Sequence, residues 1–113
     1  MSLSRSTRPF TKEDAIAVAK QIKTDAGGTL YQYLQDKRVP IEEWRQGVET
    51  EYKEHGSSLG QDTNVINDNY ELAARIAFAH IKEHPRYYQA LFRMEQALEE
   101  AELLPPVVYN WIL

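Results

Sequence analysis

Between Pro40 and Gly56, the residues Ile41, Trp44, Val48, Tyr52 and His55 recur every three or four positions, so they share one face of a helix. Proline suits the first turn of such a helix, and glycine is a natural stop. Glu51 lies at the edge of the apolar face. A single amphipathic helix of this length is marginal in water, and its stability comes from burying that face. The rest of the chain must therefore supply partners.

It does so with further helical segments. Thr11 caps a first helix, with Asp14 in the capping-box position. Ala15, Ile16, Val18, Ala19 and Ile22 form its packing set, and Gly27-Gly28 is read as its terminator. A short second helix is expected from about Leu30 to Lys37, packing through Leu30, Tyr31, Tyr33 and Leu34. Asp68 with Glu71 is read as a capping box for a fourth helix carrying Leu72, Ile76, Ala79, His80 and Glu83. Pro85 must end or kink it. A fifth segment runs through Tyr87, Leu91, Met94 and Leu98 to about Glu102, where Leu103-Leu104-Pro105-Pro106 stops it. The expected fold is all-α, a small bundle of four to five helices. Residues 1–10 are read as a flexible start, 11–104 as one helical domain and 105–113 as an apolar C-terminal tail. That tail either closes the core or joins a protein partner or a second copy in a homo-oligomer.

The 113 residues suit one domain. The absence of cysteine excludes disulfides, thiolate zinc sites and a cysteine nucleophile. A formal net charge of −4 argues against a general nucleic-acid binder. No run approaches the length of a membrane span, and the polar start lacks a signal-peptide core. A cytoplasmic protein is expected.

Residues 79–88, with Leu91, Met94 and Glu95 beyond them, place His80 and Glu83 among residues that otherwise read as a buried helix face. Burying an ionisable group is costly unless it is paired, hydrogen-bonded or bound to metal. Glu51, Glu54 and His55 form a second such set one helix earlier, and residues three or four apart share a face. Two helices packed together would bring these imidazoles and carboxylates to one spot, as ferritin-like di-metal bundles do. The candidate metal ligands are Glu51, Glu54, His55, His80, Glu83 and Glu95, and the donor set suits iron, manganese or zinc. Three readings stay open: a metal site, a structural His–Glu pair in an adaptor or assembly module, and an acid–base pair of a small hydrolase or lyase. No nucleophile or oxyanion-hole sequence accompanies the last. Tyr87 and Tyr88 read as a packing pair with one hydroxyl bonded to a buried carboxylate. The run from Asp62 to Asn69 lacks the glycine and distal glutamate of an EF-hand and reads as turn and capping chemistry. The acidic positions Glu95, Glu99, Glu100 and Glu102 fit a solvated helix face.

Glu54-His55-Gly56, Thr63-Asn64-Val65 with Asn67-Asp68, Ala79-His80-Ile81-x-Glu83-x-Pro85-x-Tyr87-Tyr88 and Met94-Glu95 together resemble an uncharacterised family of small bacterial and phage proteins. The resemblance spans residues 41 to 96. It implies that His55, Glu54, His80, Glu83, Tyr88 and Glu95 belong to one set, and it carries no known activity.

Overall fold

The computed structural model describes residues 9–102. The expected C-terminal tail, with its Leu-Leu-Pro-Pro stop, lies outside them, as does most of the N-terminal segment. The described residues form five α-helices: α1 (Lys12–Gln21), α2 (Leu30–Asp36), α3 (Ile41–His55), α4 (Tyr70–Glu83) and α5 (Tyr87–Glu102). Two short 3-10 turns, Ser57–Leu59 and Gln61–Thr63, lie between α3 and α4. The protein is all-α. Among the described residues no helix is long and apolar enough to cross a membrane.

Helix α1 begins with the expected reciprocal capping box. The Asp14 N–H donates to Thr11 Oγ1 (3.1 Å), and the Thr11 N–H donates to Asp14 Oδ2 (3.0 Å). Ala15, Val18, Ala19 and Ile22 are buried, while Ile16 is only half-buried. The helix stops before the glycines, because Ile22 turns extended and enters the core. Gly27 and Gly28, at φ +97° and +76°, instead reverse the chain. The reversal lets the Leu30 N–H reach the Ile22 carbonyl (2.8 Å). A second capping box, Thr29 with Gln32, then starts α2.

Helix α3 is the spine of the bundle, and its broadest contact is with α4. Trp44, Val48 and Tyr52 are buried as the spacing predicts. The Trp44 indole N–H donates to the Ala15 carbonyl at 2.9 Å, tying α3 to α1. Truncating a tryptophan this enclosed costs about 3–5 kcal/mol.

Helix α4 differs from the expectation in two ways. Its cap is Asn69, one residue beyond Asp68, accepting from the Glu71 and Leu72 N–H groups at 2.8 and 3.1 Å. Its core stripe is Ala73, Ala74, Ala77 and Ile81, and Leu72 and Ala79 face outward. Three alanines let the backbone of α4 approach α3 closely, which larger side chains would prevent. As expected, α4 ends just before Pro85, with the His84 N–H donating to the His80 carbonyl at 2.9 Å.

Candidate functional site

Helix α3 presents Glu43, Gly47 and Glu51 at successive four-residue steps, one stripe of the helix. Tyr88, in the first turn of α5, lies along that stripe. Its backbone N–H donates to Glu43 Oε2 at 2.8 Å, and its hydroxyl donates to Glu51 Oε2 at 2.5 Å. Between the two bonds its ring lies on Gly47, where an added Cβ would stand 2.5 Å from Tyr88 Cε2. Both carboxylates are buried, Glu43 at 5% and Glu51 at 3% exposure, and Tyr88 is fully buried. Each buried acid thus has a hydrogen-bond donor, which is what makes its burial tolerable. Glu43 also satisfies one of the orphan N–H groups at the start of α5 and complements the positive end of the helix.

Glu51 is the hub of the polar cluster. His55 Nε2 stands 3.2 Å from Glu51 Oε1, and His80 Nε2 stands 3.9 Å from Glu51 Oε2. The two imidazoles are partly open to solvent, at 43% and 32% side-chain exposure, over a carboxylate side chain at 4%. The ring of Tyr87 stacks on His80 at 4.2 Å between centroids, and Tyr88 meets both rings edge-on. Burial pushes the Tyr88 phenol far above its usual range, reinforced by its bond to Glu51 and the charge there. It is therefore a fixed proton donor to the carboxylate. Burial likewise raises the Glu54 carboxyl, and the charges of Glu51 and Glu95 raise it further. Burial also raises Tyr87, with added contributions from Glu51, Glu54 and Glu83.

The six sequence-derived candidates fall into three groups. Glu51 pairs with His55 at 3.2 Å and faces His80 at the longer separation of 3.9 Å. Glu54 and Glu95 are half-buried beside them and interact through charge. Glu83 is exposed and faces the cluster through its effect on Tyr87, so the buried partner of His80 is Glu51 and not Glu83. Among the described residues, no three His, Asp or Glu side chains are gathered in this conformation as a metal-holding group. The expected hydroxyl-to-carboxylate bond of the tyrosine pair is present and belongs to Tyr88. His84 lies outside the cluster and accepts from the Arg86 N–H at 3.1 Å.

The segment after α3 has a structural role. An added Cβ at Gly56 would collide with the Tyr52 carbonyl and stand 2.7 Å from Asp68 Oδ1. That closeness lets Asp68 accept from the Ser57 N–H at 2.7 Å. The Val65 N–H donates to the His55 carbonyl at 2.9 Å, and Ile66 is buried beneath. This is the turn and capping chemistry expected of residues 62–69, and it fixes the end of α3 that carries His55.

Glu43 and Gly47 were not among the sequence candidates. A glutamate and a glycine at i and i+4, with Glu51 at i+8, inside an otherwise regular helix are the signal for them: glycine in a helix interior costs stability and needs a packing reason.

Fold and site together define a small all-helical protein with a buried carboxylate hub and a half-exposed imidazole rim. Residues 11–97 match the family described as "Protein of unknown function (DUF5661)", and the chain belongs to that family. Comparison with curated proteins and with solved structures returns no match.

Proposed function

We propose that the cluster around Glu51 takes up one first-row divalent metal ion, of the iron, manganese or zinc class. Glu51, His55 and His80 are the inner donors, and Glu54 and Glu95 are carboxylates at the mouth. The observation that carries this reading is that two imidazole Nε2 atoms converge on the two oxygens of a single buried carboxylate. Ligands about 2.1 Å from a shared ion stand about 3.0–3.4 Å apart; the His55–Glu51 separation of 3.2 Å lies in that range, and the His80–Glu51 separation of 3.9 Å lies beyond it. Burial raises Glu54 first, and a cation would relieve the further contribution of the Glu51 and Glu95 charges. The exposed sides of both rings supply an entry path. Binding requires the His80 ring to close slightly further on Glu51, and neutral imidazoles to accept the ion.

A second reading starts from the two hydrogen bonds of Tyr88: the cluster would only tie α5 to α3, in a non-catalytic module. Elemental analysis of the full chain after loading with each metal and desalting separates the two. The metal reading predicts one retained equivalent that is lost in a His55→Ala/His80→Ala variant with an unchanged helical spectrum. Retention of no metal from any of the three loadings would overturn it and leave the architectural role.

A further inference from the structure

A separate groove lies on the other side of α4. Its walls are Ile22, Lys23, Thr24 and Asp25 from the turn after α1, and Arg75, Phe78, Ala79 and Lys82 from α4, enclosing about 210 Å³. Arg75, Phe78, Ala79 and Lys82 lie at three- and four-residue steps, so they form one stripe of α4. That stripe is distinct from the Ala73, Ala74, Ala77 and Ile81 stripe that enters the core.

Three cations and one carboxylate line this groove in a chain whose formal net charge is −4. Arg75 Nη2 stands 3.4 Å from Glu71 at an exposed position, which leaves other guanidinium N–H groups available. Lys82 sits over the Phe78 ring, with Nζ 5.0 Å from its centroid. The other side of the aromatic wall is braced by Tyr33, whose ring meets Phe78 edge-on at 5.0 Å and carries Lys37 above it at 5.9 Å. A concave wall focuses the field of the charges around it on what enters. A guanidinium fork suits the oxygens of a phosphoryl dianion. The apolar surface of Phe78 and Ala79 offers contact to an organic group carried by the anion.

We infer that this groove, with Lys23, Arg75 and Lys82 around Phe78, binds a small phosphomonoester. The inference is independent of the Glu51 cluster. Its test is an amide-resolved NMR titration of the full chain, chelator-treated, at constant ionic strength, with phenyl phosphate and with benzoate as the monoanionic comparison. Phenyl phosphate should give saturable shifts confined to residues 22–25 and 75–82. Benzoate should bind at least tenfold more weakly. An Arg75→Gln/Lys82→Gln variant should lose at least tenfold in phenyl phosphate affinity while its thermal unfolding is unchanged, because both side chains lie outside the core. Unsaturable shifts, shifts centred on His55 and His80, equal binding of benzoate, or full affinity in the double variant would each overturn the assignment.

Discussion

Replacing Gly47 with alanine separates local propensity from tertiary packing, because the two predict opposite signs. In an ordinary helix interior the change stabilises by about 1 kcal/mol, since alanine loses less backbone entropy than glycine. At position 47 the new Cβ would stand 2.5 and 2.7 Å from two carbons of the Tyr88 ring. That is about 1 Å inside the optimal carbon–carbon separation. The ring cannot step aside, because Tyr88 is held at its N–H by Glu43, at its hydroxyl by Glu51, and is fully buried. Overpacking of this kind costs about 1–3 kcal/mol. Displacing the hydroxyl from a buried carboxylate forfeits a charge-assisted bond of about 1.5–3 kcal/mol. After the propensity gain is subtracted, Gly47→Ala should destabilise the protein by about 1.5–5 kcal/mol. Urea denaturation followed by circular dichroism reads this directly, provided the slope with denaturant is unchanged. A Gly47→Ala variant as stable as the parent, or more stable, would refute the keyed position of Tyr88.

Three further outcomes follow from the same contacts. Tyr88→Phe should cost about 1.5–3 kcal/mol by leaving a Glu51 oxygen buried without its donor; in a double-mutant cycle with Glu51→Gln, a coupling near zero would contradict the bond. Gly56→Ala should lower the thermal midpoint and free the Ser57 amide to hydrogen exchange, because the added Cβ intrudes between Tyr52 and Asp68; unchanged exchange at Ser57 would contradict this. Glu54 supplies a pH test: the folded chain holds its proton to higher pH than the unfolded chain, so its contribution is full below the ordinary carboxylate range and is lost as pH rises through the raised value. In chelator-treated protein, Glu54→Gln should therefore gain stability relative to the parent as pH rises above the ordinary carboxylate range; a gain that shrinks as pH rises would contradict this.

The helices were legible because their signals are local. Thr11 with Asp14, Pro40 and Pro85 all mark boundaries through chemistry within four residues. The α4 stripe was not, because Leu72 and Ile76 look more apolar than Ala73, Ala74 and Ala77, and it is closeness to α3 that selects the alanines. The candidate site was half legible. Helical spacing places His55 and Glu51 together, and a fifth helix starting after Pro85 brings Tyr88 back to them. The pairing of His80 with Glu51 and not with Glu83 depends on how α4 rotates against α3, which spacing alone does not contain. Glu43 and Gly47 escaped because their partner lies more than forty residues away, at the start of α5.

The proposed metal site has His55 and His80 sharing one ion with Glu51. Long-range proton–nitrogen NMR of the histidine rings during zinc titration tests it most directly. The Nε2 resonances of both rings should move together and saturate at one equivalent, with His84 unaffected. Rings of His55 and His80 that do not respond, or that respond independently of each other, would contradict it.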